Sequence, residues 1–316
     1  VERQRASRQA SLAAMRQNPG SVAASAATLA LYGPQHPYAY NELGTPASVT
    51  NTTREAIAAF WKQNFVPGNA ALVVASPLAE AELRPLVEKA YGGWPAGSVA
   101  QPALEAPKTT TAKVIVVDVP GAPQTQVLVT TIGAARSTPE YPSLEVMNAV
   151  LGGLFSSRIN LNLREQHGYT YGASSQFLLR KSPGPFWVSS AVRTDVTAAA
   201  VGEILKEIER VGRSPMTSDE LTMAKDSIVR ALPSDFETGT GTVNTLGGLF
   251  VYGLGMDYYT KLPGSIASVT ADSAQAVAKK YLDPAKLIVV AVGDRSKIEP
   301  ALARLKLGTL EVRTAQ

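Results

Sequence analysis

Residues 46–74, PASVTNTTREAIAAFWKQNFVPGNAALVV, and residues 263–291, PGSIASVTADSAQAVAKKYLDPAKLIVVA, are one passage written twice. At a constant offset of 217, Pro46 pairs with Pro263, Ser48 with Ser265, Thr53 with Thr270, Lys62 with Lys279, Pro67 with Pro284 and Val73 with Val290. Both copies run through a Pro-x-Ser-apolar turn, a helix opened by a capping threonine, a proline that stops it and an apolar strand. Helix, proline and strand recur in many proteins, but ungapped agreement over about thirty residues marks an internal duplication.

The offset serves as a ruler. A complete unit begins near residue 110, so its twin is expected to begin about a hundred residues before Val1. The helix read over 219–232 maps onto the stretch from Glu2 to Met15, and earlier parts of the complete unit have no counterpart. The expected division is residues 1–95 as the C-terminal half of a first unit, 96–111 as a Pro- and Thr-rich linker, and 112–316 as a complete second unit.

In the first part a helix is expected through Met15, then a turn at Asn18-Pro19-Gly20 and a second helix capped by Ser21. Ile57, Phe60, Trp61 and Phe65 share one face of the Thr53 helix, residues 69–76 read as a short buried strand, and residues 80–91 as another helix. In the second part residues 114–119 and 126–132 read as strands. Leu144, Met147, Val150, Leu151 and Leu154 recur at helical spacing, and residues 171–179 and 186–192 are strands again. Val201, Ile204, Leu205 and Ile208 mark a helix, and Thr217-Ser218-Asp219-Glu220 is a capping box for the next. The fold class this implies is α+β: duplicated units of helices packed on a mainly antiparallel sheet, the first unit incomplete at its N-terminus.

Composition narrows the chemistry. With 316 residues, 45% hydrophobic and 18% charged, the chain supports a full core, which excludes disorder and a small disulfide-stapled scaffold. Cysteine is absent, and two histidines, His36 and His167, leave a self-contained metal site poor in nitrogen ligands. The net charge of +4 is spread without a basic run, which argues against a nucleic-acid partner, and the apolar runs at 70–75 and 287–292 are too short to span a membrane. No phosphate-binding loop or nucleophile elbow occurs, and Gly239-Thr240-Gly241 leads to Asn244 where a dinucleotide fingerprint needs glycine. His36, in a loop with Tyr32, Tyr38 and Tyr40, reads as a structural hydrogen-bonding residue.

Residues 151–172, LGGLFSSRINLNLREQHGYTYG, stand apart. Arg164 offers a charged fork of donors and Tyr171 a phenolic donor, a combination suited to peptide carbonyls or an oxyanion. A surface pair of Arg164 with Glu165 and tyrosines in the core account for the same residue types.

This segment resembles the non-catalytic domain of the pitrilysin, or insulinase, family of zinc metallopeptidases. The resemblance continues through Tyr32-Gly33 with His36-Pro37-Tyr38, Gly44-Thr45, Pro67 with Asn69-Ala70, Tyr91-Gly92-Gly93-Trp94, the run from Leu232 to Thr238, and Tyr252-Gly253-Leu254. It implies a clamshell of duplicated α+β units that encloses unfolded peptides. In such proteins an arginine, and a tyrosine seven positions later, reach the substrate from the non-catalytic half. The resemblance thereby implies substrate-binding roles, assisting catalysis in trans, for Arg164 and Tyr171, with Tyr169 as a substitute.

The family's His-x-x-Glu-His occurs nowhere in the chain, and the helix at 144–154 carries apolar and small residues in its place. The family's third zinc ligand, a glutamate, would fall near Gln9 and Ala10, yet no acidic residue lies from Arg3 to Met15; Glu2 would serve only in a register shifted by two helical turns. The resemblance therefore implies a zinc-less, non-catalytic subunit of a heterodimeric zinc metalloendopeptidase. It has no catalytic residue, metal ligand or cofactor of its own, and zinc is expected in a His-x-x-Glu-His partner. Two other readings remain at this point: the back part of a single-chain zinc peptidase whose motif lies before Val1, and a scaffold like the core subunits of respiratory complexes. The cysteine-free sequence and secreted relatives point to the periplasm.

Overall fold

The computed structural model describes residues 1–100, 104, 107 and 110–314. Of the linker expected over 96–111, residues 101–103, 105–106 and 108–109 lie outside the described residues. Asn18, not Ser21, caps the second helix: its Oδ1 accepts the Ser21 N–H at 2.9 Å, and Pro19 fills a first-turn position that has no N–H partner to lose. Helix α2 (Pro19–Tyr32) therefore starts directly after α1 (Glu2–Gln17), and α3 (Pro46–Asn51), α4 (Arg54–Asn64) and α5 (Glu80–Tyr91) follow.

The rest runs β1 (Lys113–Asp118), β2 (Gln124–Ile132), α6 (Tyr141–Asn148), α7 (Arg158–Asn160), β3 (Thr170–Phe177), β4 (Pro185–Arg193), α8 (Thr197–Arg213), α9 (Ser218–Ala231), α10 (Gly239–Tyr252), α11 (Tyr258–Ala267), α12 (Ala271–Tyr281), β5 (Ile288–Gly293), α13 (Arg295–Arg304) and β6 (Thr309–Thr314). The strands form one sheet in the order β3-β4-β2-β5-β1-β6. Pairings from β3 to β5 are antiparallel, while β5 with β1 and β1 with β6 are parallel. The fold is α+β with a mixed, mainly antiparallel sheet.

Both faces of the central strands are covered, which is why they read as unbroken apolar runs. Val114, Val116, Val127 and Val129 pack with α6, α8 and α12, and Ile115, Val117, Leu128 and Val290 pack with Val22, Ala23, Ala27 and Leu31 of α2. A helix from the first part of the chain thus closes the second face of the sheet.

The duplication is written into the elements. Helices α4 and α12 start and end 217 residues apart, as do their capping threonines and the short turns at Pro67 and Pro284. Their surroundings differ. Val277 of α12 is 4% exposed, whereas its counterpart Phe60 is 62% exposed; Ala278 is 1% exposed and Trp61 58%. The strand expected at 69–76 does not form. Its counterpart β5 lies between β1 and β2, and a strand exists only through the neighbours that take its backbone hydrogen bonds.

Candidate functional site

Paired glycines set up the site. After α6 the backbone widens into a π-helical turn, Ala149–Gly153, which presses Gly152 against β3. A Cβ on Gly152 would stand 2.5 Å from Ser175 Oγ and 2.6 Å from the Ser175 nitrogen, so glycine is required there. Asn148 locks the same junction, donating from Nδ2 to the Ser175 carbonyl at 3.1 Å and accepting the Ser175 hydroxyl at Oδ1 at 2.7 Å. A second π-helical turn, Leu161–Gln166, carries Arg164. Turns of this kind recur at functional sites.

The loop at 154–157 runs between the two turns. Buried Asn160 ties it to β3: Nδ2 donates to the Phe155 carbonyl at 2.7 Å and Oδ1 accepts the Ala173 N–H at 3.0 Å. Arg158 anchors it to α9, donating from Nε and Nη2 to the Glu220 carboxylate at 2.6 and 2.7 Å. Glu220 also accepts the Thr217 N–H at 2.9 Å, completing the capping box legible in the sequence. The Arg158 fork, with help from Thr217, holds the Glu220 carboxyl down to a pKa of about 2.

Strand β3 slips its register against β4 between Thr170 and Ala173, so Tyr171 and Gly172 together oppose Ala191. Tyr171 shares the parity of Ala173 and Ser175, whose side chains are buried; the bulge turns it outward and it stands 92% exposed. The Arg164 guanidinium lies over the Phe155 ring at 4.6 Å, with Nε 3.4 Å from Glu165 Oε1. Tyr169 behaves differently: it packs against the core with its ring stacked on His167 at 4.8 Å. The surface pair of Arg164 with Glu165 and the core packing of Tyr169 are thus both present, whereas Tyr171 is not in the core. Phe155 belongs to the motif that carries the resemblance, but its exposure and its contact with Arg164 were not expected; the signal was an aromatic one residue after paired glycines and just before paired serines, where no helical or strand period places it in a core.

The histidines lie apart from one another, each against a tyrosine ring. His36 accepts the Tyr38 N–H through Nδ1 at 3.0 Å and stacks on Tyr32 at 4.9 Å. Nε2 of His167 lies 3.9 Å from Glu203, whose carboxyl is held below the usual range by Lys206 at 2.6 Å. Among the described residues no three His, Cys, Asp or Glu side chains are grouped to hold a metal ion. Helix α6 offers Glu145 as its one carboxylate, and burial raises that pKa, favouring the neutral acid. These residues do not fit a zinc ion.

Residues 51–228 match the family described as the peptidase M16 inactive domain, and the chain belongs to that family. It is 27% identical over 250 residues to an uncharacterized zinc protease of Streptomyces coelicolor, covering 76% of this chain and 53% of that protein. It is 25% identical over 224 residues to an uncharacterized zinc protease of Mycobacterium leprae, covering 69% and 49%. The chain spans about half the length of the curated relatives it matches. A crystal structure of a peptidase M16 inactive domain from Pseudomonas fluorescens superposes with a TM-score of 0.86 at 24% identity, over 93% of this chain and 70% of that one. A chain of Complex III2 from Candida albicans shares the fold with a TM-score of 0.80 at 13% identity, over 96% and 74%. No helix among the described residues is long and apolar enough to cross a membrane.

Proposed function

We propose that this chain is the non-catalytic, substrate-binding subunit of a heterodimeric zinc metalloendopeptidase that acts on peptides or unfolded polypeptides. The observation that carries the reading is a half-exposed arginine fork in the turn before β3 and an exposed phenol on β3, with described residues that do not fit zinc. Arg164 and Tyr171 donate to a peptide carbonyl and stabilise the negative charge that grows on its oxygen. A His-x-x-Glu-His partner of the same family supplies the metal and the base. In this organisation residues 1–95 belong to a first unit, 96–111 link it to a second at 112–316, and the rest of the first unit covers the open face of α4. A periplasmic location, in keeping with the cysteine-free sequence, belongs to the same reading.

The test is reconstitution with the His-x-x-Glu-His partner. Arg164→Ala and Tyr171→Phe are each expected to lower kcat/KM roughly 10-fold to 100-fold while leaving the unfolding midpoint unchanged. Unchanged turnover would sink the assigned roles.

The length of the relatives favours a second reading, in which the chain is the back part of a single polypeptide that carries its own zinc motif upstream. Stoichiometric zinc by atomic absorption in the full-length protein would select it.

A further inference from the structure

Helix α8 turns two carboxylates, Glu203 and Glu207, toward the π-helical turn that carries Arg164. They stand four residues apart on one helix face, a spacing at which like charges repel. Glu207 is 6% exposed, and its Oε2 is buried without a hydrogen-bond partner. Burying such a group is costly unless a contact offsets it. That contact is Asn162, also buried, whose Nδ2 donates to Glu203 Oε2 at 3.2 Å and to Glu207 Oε1 at 3.1 Å. Turned the other way, the amide would aim its oxygen at both carboxylates, so charge fixes its orientation. Glu203 Oε2 lies 3.9 Å from His167 Nε2 as well. The two residues that reach α8 thus bracket Arg164 in the chain, Asn162 before it and His167 after it, and the His167 N–H donates back to the Asn162 carbonyl at 3.1 Å. Two cations of α8 itself face the pair, Lys206 at 2.6 Å from Glu203 and Arg210 at 3.5 Å from Glu207.

We propose that Glu203 and Glu207 are positioning residues for Arg164. Acting through Asn162 and His167, they keep the turn wound, so that the guanidinium emerges at one place, over the Phe155 ring at 4.6 Å. A π-helical turn is rare beside the ordinary α-helix, and the clamp from α8 supplies the tie that holds it. Arginine has a long, flexible stem, and a fixed base is the condition for its fork to meet a carbonyl at a set distance. The use of this placement, though not the placement itself, rests on the peptide-binding reading of Arg164.

NMR of the full-length protein, isotope-labelled at its arginines, reports the placement directly. The Arg164 Nε–H resonance, assigned by its loss in Arg164→Lys, is shifted by the ring current of Phe155. Glu207→Leu leaves Asn162 one acceptor in Glu203 and puts an apolar group in a buried place, so the fold is kept; Asn162→Ala is the second variant. Both are expected to move the resonance toward that of a free arginine and to cut its heteronuclear NOE by roughly half. Glu207→Gln, which keeps an oxygen for Asn162, holds the resonance in place. In the pair reconstituted with the His-x-x-Glu-His partner, Glu207→Leu is expected to lower kcat/KM roughly threefold to tenfold, and to cost nothing more in an Arg164→Ala background. A resonance that stays put in Glu207→Leu and Asn162→Ala overturns the positioning role. So does a loss of kcat/KM that adds in full to that of Arg164→Ala, because the pair then serves the scaffold at large. Turnover unchanged in Arg164→Ala, with the resonance displaced by Glu207→Leu, upholds the clamp and fails the peptide-binding reading alone.

Discussion

Arg158 and Glu220 are 62 residues apart in sequence and meet in two parallel hydrogen bonds, with 7% and 24% of their side chains exposed. Glu220 was legible as the fourth residue of a capping box, a local pattern. Its partner was not, because nothing local in Ser156-Ser157-Arg158 shows that α9 will arrive beside it. The pair makes a prediction about pH. The folded pKa of Glu220, about 2, lies below the ordinary 4.5, so its stabilisation is present above the ordinary value and lost as pH falls toward 2. With its partial exposure allowed for, the contribution is about 2 kcal/mol. Glu220→Gln keeps a capping side chain and loses the charge. Urea unfolding at stepped pH is expected to show wild type above the variant at pH 7 and the two curves converging as the acid limit is approached. Curves that run parallel down to pH 2 would rule the ion pair out as the source.

Elements with a strong period were legible: α4, α8, α9 and strands β1, β2, β4 and β5 lie close to where spacing and caps put them. Two kinds of feature were not. Strand β6 alternates Leu310 and Val312 with Glu311 and Arg313, and its charges are used at the sheet edge, where Lys113 meets Glu311 at 2.9 Å and Arg313 meets it at 2.7 Å. Such an edge strand lacks the continuous apolar run that announced β5. The bulge in β3 and the π-helical turns likewise leave no periodic trace, since each is imposed by packing across the chain. The glycines nevertheless show where that packing is tight. Gly152→Ala would put a methyl group into the Ser175 backbone and push β3 away, at a cost of about 1–3 kcal/mol. The matching control is Gly93→Ala, where a Cβ meets nothing within 4 Å. Equal unfolding midpoints for the two variants would contradict the proposed junction between the π-helical turn and β3.

At the scale of the molecule the duplication was legible and its consequence for burial was not. The 217-residue offset maps Phe60 and Trp61 onto Val277 and Ala278, yet a repeat in sequence does not say whether the neighbours that bury one copy are present for the other. The two-histidine scarcity was legible too, and so was the absence of the zinc motif; the placement of Tyr171 in a bulge and of Arg164 on Phe155 was not, because the first follows from the pairing of β3 with β4 and the second from a contact across the turns before β3. These features make the chain a peptide-gripping partner in the proposed account. The most direct measurement is hydrolysis of unfolded casein by a His-x-x-Glu-His member of the family from the same organism, followed as this chain is titrated in. The account predicts that activity rises, saturates at one chain per zinc subunit, and leaves the zinc with the partner. Hydrolysis by this chain alone, or activity of the zinc subunit that no amount of it enhances, would contradict the account.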